Sequence, residues 1–395
     1  MESVREEHKP PSSITKPLKV PAKLLMGPGP TNAHPRVRKA CSQPLLSTIH
    51  PEFHAIMDDI QGGLKYLFQT SNPLTFLLDG GGHAAMEASF VNMVEPGDRV
   101  LVLENGVWGQ RAREVAEKCG GVVTSLVQPI GKIFTVEDIE LGLKTHSPCV
   151  LFLCHGETSS GVLHPLEGIG ELCHKYGCLF MVDAVASLGA VPFLMDKWGV
   201  DIAYSGSHKV LSCPPGVSPI SFGPRARAKL ASRKTKVGSF YFDLNWLMKC
   251  WAVDGTPRAY HHTASVTTFY AVRESLSLLA QQGLEASWSK HRRNAELLWE
   301  GLEKLGLELL VKDKTLRLPT VTTVMVPRGV DWKELVTHLM GAYSVEIAGG
   351  LGPSAGKVWR VGLLGNNSAP KNVTSVLKAL DGGLKHCQQH LKSRL

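Results

Sequence analysis

Short apolar runs alternate with segments of helical periodicity along residues 75–222 of this 395-residue chain. Thr75–Leu78 and Arg99–Leu103 are mostly apolar runs of strand length, and the apolar residues between 86 and 94 recur at helical spacing. Strands that alternate with helices form a parallel or mostly parallel sheet with helices on both faces. The pattern therefore predicts an α/β fold for this part of the chain.

The same periodicities predict the remaining elements of this region: strands at 122–127, 149–155, 178–183 and 201–204, and helices near 110–119, 136–145 and 166–176. Beyond it, two long helices near 265–281 and 285–304 lead to shorter elements: strands at 320–326, 344–347 and 357–363, and helices near 331–341 and 370–390. We expect three parts: a proline-rich arm over residues 1–21 lying on a partner subunit, a large domain over 22–283, and a smaller C-terminal α/β domain over 284–395.

Chemically distinctive residues stand where the predicted strands of the large domain end. Ligands of open α/β sheets bind at the carboxyl ends of the strands. Residues of this kind are predicted at that edge: Gly80–His83, Trp108, Thr158, Asp183 and Lys209. Their coincidence at one edge predicts a ligand site there.

Lys209 lies between the strand that ends at Tyr204 and the Pro214–Gly216 turn. A lysine and an aspartate on neighbouring strand ends suit a pyridoxal phosphate enzyme, in which lysine forms a Schiff base and aspartate keeps the pyridine nitrogen protonated. Asp183 would be that aspartate. An ordinary surface lysine is the alternative, because most of the 43 basic residues must be exposed.

Two further segments carry a functional and a structural interpretation. Gly80–His83 joins a strand to a helix, so its backbone N–H groups could bind phosphate, or it could be only a tight connection. Arg360 interrupts the apolar strand 357–363, and its guanidinium could hold a substrate carboxylate or form a structural ion pair. The residues alone leave both alternatives open.

Composition favours a soluble globular enzyme. Apolar residues make up 43% of the chain and charged residues 20%, and no apolar run approaches the length of a membrane span. The net charge of +8 includes one dense basic run over 225–236, which lacks the interleaved aromatic residues of a nucleic-acid surface. We therefore expect small-molecule substrates rather than nucleic acid or membrane as partners, and no metal site is predicted.

Nine cysteines without a CxxC pair, several of them in apolar strands, indicate free thiols in a reducing compartment. The polar, glutamate-containing N-terminus does not resemble a signal or transit peptide. The ending Ser393-Arg394-Leu395 is a conservative variant of the peroxisomal Ser-Lys-Leu address. We therefore expect a peroxisomal protein that an import receptor recognises by this ending.

Long segments of the chain resemble one known family, the alanine–glyoxylate (serine–pyruvate) aminotransferases among the fold-type I pyridoxal phosphate enzymes. The resemblance runs from about Pro17 to the C-terminus and is carried by LLMGPGPTN, HGETSSGVLHPLEGIGELCH, VDAVASLGAVP, YSGSHKVLSCPPG, YHHT, LRLPTVTTV and GGLGPSAGKVWRVGLLG. It implies pyridoxal 5'-phosphate as cofactor, a homodimer whose active sites use both subunits, and a small domain that closes on the substrate. It also implies transfer of an amino group from alanine or serine to glyoxylate or pyruvate, and hence glyoxylate detoxification.

The resemblance also implies roles for individual residues. Lys209 would be the Schiff-base and catalytic lysine, Asp183 the catalytic partner of the pyridine nitrogen, and Arg360 the site of the substrate carboxylate. The other residues implied to contact the cofactor are Trp108, Thr158, Gly81, Gly82, His83, Ser207 and His208, with Tyr260 and Thr263 from the other subunit.

This chain departs from the commonest family pattern at three of these positions. Gly81 stands where a serine hydroxyl reaches the phosphate, His208 replaces a glutamine, and Thr158 replaces a serine. The first two changes remove or alter phosphate donors, so cofactor affinity could be lower unless His208 compensates for Gly81.

An insect branch of the same family, the 3-hydroxykynurenine transaminases, resembles the chain almost as well. In that branch a Ser-Asn pair faces the bulky substrate, and Ser47-Thr48 occupies its place here. This favours the smaller substrates. A catalytically silent protein of the same fold is disfavoured because Lys209, Asp183 and Arg360 are all present.

Overall fold

The computed structural model describes residues 10–394, with side chains described as far as His390. The side chains of the Ser393-Arg394-Leu395 ending thus lie outside the described residues. None of the described helices combines the length and apolar character that crossing a membrane requires.

Within residues 10–394 the strands are, in chain order: β1 (Leu24–Leu25), β2 (Leu74–Asp79), β3 (Arg99–Glu104), β4 (Val122–Val127), β5 (Val150–Cys154), β6 (Gly156–Glu157), β7 (Val162–Leu163), β8 (Leu179–Asp183), β9 (Ile202–Tyr204), β10 (Val217–Phe222), β11 (Val321–Met325), β12 (Val345–Glu346), β13 (Ala348–Gly349) and β14 (Val358–Gly362).

Within the same residues the α-helices are: α1 (Pro35–Cys41), α2 (Pro51–Phe68), α3 (Gly82–Met93), α4 (Val107–Lys118), α5 (Val136–His146), α6 (Ile169–Lys175), α7 (Pro224–Ala231), α8 (Leu244–Cys250), α9 (Val266–Gln282), α10 (Leu284–Lys304), α11 (Trp332–Tyr343) and α12 (Pro370–Arg394).

The large sheet has seven strands in the order β2-β10-β9-β8-β5-β3-β4. Neighbouring strands pair in parallel from β9 through β4, whereas β10 is antiparallel to both of its neighbours. The prediction of a mostly parallel sheet with helices is therefore confirmed. β10 reverses direction because residues 205–216, between β9 and β10, form a loop instead of a crossover helix.

Burial explains why the central strands read as continuous apolar runs. Every residue of β5 and β8 is buried, as expected for parallel strands that helices cover on both faces. The edge strand β4 is only partly buried, and Val122 and Val127 at its ends are exposed. The strands nearest the middle of the sheet are thus part of the large hydrophobic core.

A second hydrophobic core lies in the C-terminal part of the chain. Its sheet has three antiparallel strands in the order β11-β14-β13, which α10, α11 and α12 flank with buried residues such as Leu298, Leu339 and Leu380. The N-terminal strand β1 pairs with β12, and Met26 is buried in this second core, although residues 22–283 were predicted to belong to the large domain.

Candidate active site

The carboxyl ends of the parallel strands surround a cavity of about 480 Å³, counting its open mouth. The cavity is lined by seven of the residues singled out in the sequence, together with four others. The seven are Gly82, His83, Trp108, Thr158, Asp183, His208 and Lys209. These seven residues, which were expected to meet at one edge of the sheet, thus line one cavity.

Lys209 lies in the loop after β9, and its side chain is buried apart from an exposed fraction of 8%. Its Nζ donates a hydrogen bond to the carbonyl of Pro28. The lysine packs so closely on Gly29 that a Cβ there would lie 2.6 Å from Nζ, and Gly29 has φ of +113°. The segment before Pro30 therefore holds the amine in place.

Burial, and after it the positive charge of Arg360, lower the pKa of Lys209 to about 8, while the charge of Asp183 opposes the shift. A neutral amine is the form that acts as nucleophile or base. The environment of Lys209 thus brings a reactive amine within the physiological pH range.

Asp183 is the last residue of β8, and its carboxylate is held by two donors. Oδ1 accepts a hydrogen bond from the backbone N–H of Val185 at 2.9 Å, and Oδ2 accepts one from the hydroxyl of Tyr204 at 3.0 Å. Burial raises the pKa of Asp183 to about 6, although these two hydrogen bonds act to lower it. The carboxyl group is therefore fixed in direction and placed to hold a cation or a protonated ring nitrogen.

Trp108 forms one wall of the cavity, and the loop after β6 fixes its position. Its indole Nε1 donates to Thr158 Oγ1 at 2.7 Å, and its backbone N–H donates to Glu157 Oε2 at 3.0 Å. The ring of His83 meets the indole edge-on, with centroids 5.4 Å apart. The indole is therefore held in a set orientation beside the cavity.

Glu157 was not singled out by sequence reasoning, yet it organises this wall. Its carboxyl group is fully buried and accepts hydrogen bonds from Ser159 as well as Trp108. Burial raises its pKa to about 7 despite these donors. A Cβ on Gly106 would lie 2.3 Å from Glu157 Cδ, so the glycine allows the start of α4 to approach the carboxyl group.

The glycine-rich start of α3 also lines the cavity. Gly81 is the N-cap residue, and the first helical N–H groups, which find no partner inside a helix, belong to Gly82 and His83. Such N–H groups bind anions. His208 lines the same cavity, and its Nδ1 is buried without a hydrogen-bond partner among the described residues; burial lowers the pKa of His208 to about 4.

Arg360 lies on β14 of the C-terminal sheet and is 8% exposed. Its Nε donates to the carbonyl of Gly349 at 2.7 Å, and within residues 10–390 neither of its Nη atoms contacts a hydrogen-bond acceptor. The structural ion pair that the sequence left open as an alternative is absent from the contacts of these residues. Burial lowers the pKa of Arg360, and the charge of Glu157 opposes the shift.

Five predicted residues are not part of the cavity lining in their own chain: Gly81, Ser207, Tyr260, Thr263 and Arg360. The Ser207 hydroxyl is buried and donates to the carbonyl of Pro214 at 2.7 Å. Tyr260 and Thr263 are exposed, and their hydroxyl oxygens lie 3.1 Å apart. Their exposure leaves them accessible to a second subunit.

Tyr204 is the other functional residue that sequence reasoning missed. It is the last residue of the strand predicted at 201–204 and is fully buried. Only the hydrogen bond from its hydroxyl to Asp183 distinguishes it from an ordinary core residue. A fully buried tyrosine requires a partner for its hydroxyl, so a search for acids on neighbouring strand ends could have paired the two.

The residues that line the cavity fit pyridoxal 5'-phosphate. A lysine with a lowered pKa, a buried aspartate and an indole wall match the aldehyde, the ring nitrogen and the ring face. The start of α3 and the unpaired nitrogen of His208 offer donors for a phosphate group. Gly81 leaves space there, since a Cβ on it would meet nothing within 4 Å.

Comparisons with known proteins agree with these features. The profile of the family described as aminotransferase class V matches residues 29–368. The alanine–glyoxylate aminotransferase of Callithrix jacchus is 52% identical over 96% of this chain and 91% of its own length.

Two solved structures have the same fold over almost the whole chain. The alanine–glyoxylate aminotransferase of Nostoc sp. has a TM-score of 0.91 and 48% identity, over 93% of this chain and 97% of its own. The ureidoglycine–glyoxylate aminotransferase of Bacillus subtilis has a TM-score of 0.90 and 36% identity, over 94% and 95%. The resemblance found in the sequence motifs is thereby confirmed.

Proposed function

The chain belongs to the class V aminotransferases, which use pyridoxal 5'-phosphate, and we propose that it transfers the amino group of alanine to glyoxylate. The products would be pyruvate and glycine, so the reaction would remove glyoxylate. The observation that carries this proposal is that Lys209 and Asp183 line one cavity. The pKa of Lys209 is lowered there, and the charge of Asp183 acts on its amine.

The cofactor, when bound, supplies an electrophilic carbonyl and an electron sink for the charge that develops at the substrate Cα. Asp183 would hold the protonated ring nitrogen, and its hydrogen bonds to Val185 and Tyr204 keep it oriented for that task. Trp108 would cover one ring face, with Thr158 fixing its indole. Gly82, His83 and His208 would hold the phosphate.

Lys209 would move the proton between the substrate Cα and the cofactor. Transfer of this kind requires a general base whose pKa lies near the working pH. Burial of the amine and the nearby positive charge of Arg360 bring the pKa of Lys209 to about 8. The same amine can then return the proton, because a base of intermediate pKa both accepts and donates.

Arg360 would bind the carboxylate that all α-amino and α-keto acids share. Its Nε is engaged by Gly349, which leaves the two Nη atoms as a planar fork for a bidentate contact. Desolvation by the surrounding strand strengthens such a contact, since competing water is excluded. One residue would therefore serve both half-reactions.

The relatives support glyoxylate as the amino acceptor more consistently than they support alanine as the amino donor. The names of relatives at 52% and 36% identity share glyoxylate as a substrate but differ in the amino donor. Purified enzyme should be assayed with glyoxylate and one donor at a time: alanine, serine and 3-hydroxykynurenine. Alanine should give the highest kcat/KM, and a preference for 3-hydroxykynurenine would contradict the proposed donor.

The role of Lys209 is tested by Lys209→Ala. Borohydride reduction of the wild-type holoenzyme should leave the cofactor attached to the peptide that contains Lys209, as mass spectrometry can show. The variant should retain no covalent cofactor and should lose transamination. Turnover of alanine by Lys209→Ala at the wild-type rate would contradict the assignment.

We also propose that the enzyme works as a homodimer. Aromatic side chains near Tyr260 form an exposed cluster, with Phe240 63% and Tyr260 64% exposed. Phe240 packs on Trp246 and His261, and Ile14 and Leu18 of the N-terminal segment are also exposed. Apolar groups exposed in this number are typical of a protein–protein interface.

Peroxisomal residence is proposed on the ending Ser393-Arg394-Leu395 alone. Removal of these three residues should shift the protein from peroxisomes to the cytosol in cell imaging while transaminase activity is retained. A full-length chain that accumulates in mitochondria would contradict the proposal.

A further inference from the structure

Three potential metal ligands meet between two helices of the C-terminal domain, remote in sequence from the residues that line the cavity. Among the residues whose side chains are described, Glu334 of α11 and His386 and His390 of α12 place one ligand atom each within 4.8 Å of the others. The sequence predicts no metal site there, because the carboxylate and the imidazoles lie about fifty residues apart.

The packing of α11 against α12 is what brings these side chains together. A Cβ on Gly382 would lie 2.0 Å from the Tyr343 hydroxyl, and a Cβ on Gly383 would lie 2.5 Å from Leu339 Cδ1. The two glycines therefore allow the helices to approach more closely than bulkier residues would. From this crossing α12 runs back along α11 toward Glu334.

The spacing on α12 places both imidazoles on one face. His386 and His390 are four positions apart, and side chains at this separation are neighbours on a helix. Their rings lie 4.2 Å apart between centroids. Two histidines at this helical spacing and one carboxylate form a ligand set that zinc commonly binds.

The measured separations are close to those that one ion requires. His390 Nδ1 lies 3.1 Å from Glu334 Oε1, and His386 Nε2 lies 3.8 Å from the same oxygen. Ligand atoms on a tetrahedral zinc ion are roughly 3.3–3.6 Å apart. The two separations to Glu334 therefore differ from this range by only a few tenths of an ångström, and the ligand atoms of the two histidines lie within 4.8 Å of each other.

The site is accessible from solvent and held by its surroundings. The side chains of His386 and Glu334 are 30% and 24% exposed, so an ion could enter without unfolding. The ring of His338 stacks on His386 with centroids 4.0 Å apart and an interplanar angle of 15°. Asp331 caps α11 by accepting hydrogen bonds from the N–H groups of Lys333 and Glu334, which fixes the start of that helix.

We propose that Glu334, His386 and His390 form a binding site for a divalent transition-metal ion, zinc being the natural candidate, that ties α12 to α11. Two imidazole nitrogens and one carboxylate oxygen favour such ions over Mg²⁺ or Ca²⁺, which prefer oxygen ligands. The ion would have a structural effect, because none of the three residues lines the cavity at Lys209. It would stabilise the folded chain by a free energy that grows with the logarithm of the ion concentration once that concentration exceeds Kd.

The test uses the full-chain holoenzyme, purified without a polyhistidine tag and freed of metal by a chelator that is then removed. Titration with Zn²⁺ against a chromophoric chelator should show one tight site per chain. Zn²⁺ should also raise the melting temperature by about 2–4 °C, whereas Mg²⁺ at the same concentration should not.

Variants identify the ligands. His386→Ala combined with His390→Ala should lose both the tight site and the Zn²⁺-dependent rise in melting temperature, and Glu334→Gln should weaken binding by about tenfold or more. Gln389→Ala is the matched control, because it alters an exposed neighbour on the same helix turn and should behave as wild type. Unchanged transaminase activity in all variants would show that the fold is intact.

Two outcomes would overturn the proposal. If the double variant binds Zn²⁺ as tightly as wild type, the ion is held elsewhere, for example by the free cysteines. If wild type shows no saturable uptake, the three side chains form only an ion-pair cluster.

Discussion

At the scale of single residues, Arg360 depends on the shape of its side chain as well as its charge. A lysine at this position keeps the charge but loses the planar fork. Arg360→Lys should lower kcat/KM for alanine and for glyoxylate alike, by an amount corresponding to about 2–5 kcal/mol. Steady-state kinetics of both half-reactions would measure this.

The control for this variant is Arg317→Lys, another buried arginine of the C-terminal part, which donates to the carbonyl of Val311 and, unlike Arg360, is not among the charges that shift the pKa of Lys209. It should leave the kinetics nearly unchanged. Cofactor content should stay at the wild-type level in Arg360→Lys. Loss of cofactor with retained substrate affinity would instead make Arg360 a structural residue.

A second prediction at this scale concerns the pH dependence of Lys209. Because only the neutral amine attacks an aldehyde, covalent attachment of pyridoxal phosphate to the apoenzyme should accelerate about tenfold per pH unit below pH 8 and level off above it. Stopped-flow absorbance, with borohydride trapping as a check, would give the profile. A midpoint near the ordinary lysine value of 10.5 would contradict the proposed environment.

The charge of Arg360 provides a sharper form of this test. Its positive charge is one of the causes that lower the pKa of Lys209. Arg360→Met removes that charge, so the midpoint should move to higher pH. An unchanged or lower midpoint would show that the two cations do not interact.

At the scale of elements, the start of α3 has room for a residue that this chain lacks. Gly81 is the N-cap with φ of −72°, which any L-residue can adopt, and a Cβ there would meet nothing within 4 Å. Serine at an N-cap accepts a hydrogen bond from the first turn and could also face the phosphate. Gly81→Ser should therefore tighten cofactor binding severalfold at little cost in stability.

Gly82→Ser is the matched control for this change. The neighbouring Cβ would lie 3.2 Å from Val185 Cγ2, closer than most Cβ contacts, and would narrow the cavity. Equilibrium dialysis of pyridoxal phosphate against the two apoenzymes would compare them. Equal affinities, or weaker binding by Gly81→Ser, would show that the space at Gly81 has no bearing on the phosphate.

At the scale of the whole molecule, the exposed Tyr260 and Thr263 predict active sites shared between subunits. Lys209→Ala subunits mixed with Tyr260→Ala/Thr263→Ala subunits would form hybrid dimers in which one site carries both defects and the other carries none. Random reassociation should restore about a quarter of wild-type activity. By itself, the Lys209→Ala variant should be inactive, and the Tyr260→Ala/Thr263→Ala variant should be only weakly active.

The control for complementation is a mixture of Lys209→Ala with Asp183→Asn, since both residues line the cavity of one chain. In those hybrids each site would carry one defect, so activity should not return. Equal recovery in both mixtures would contradict a shared site.

Sequence periodicity predicted most elements of the large domain because each burial pattern is local. The strand predicted at 122–127 is β4 with the same bounds, and the strand at 178–183 is β8 within one residue. It also predicted that Asp183 ends its strand, which is correct, and placed Lys209 beyond the strand that ends at Tyr204, where the loop after β9 carries it. Lys209 and Asp183 could therefore be assigned to one edge before any contact was known.

Only the tertiary structure decided which of these residues touch and what holds them. The hydrogen bond from Tyr204 to Asp183, the buried Glu157 behind Trp108 and the approach of His386 to Glu334 join segments that are far apart in the chain or on separate elements. Such contacts depend on strand order and helix crossing, and these are set by packing that a local period does not encode. The sequence by itself thus determined the elements and the reactive groups, whereas packing decided their partners, their burial and hence the lowered pKa of Lys209.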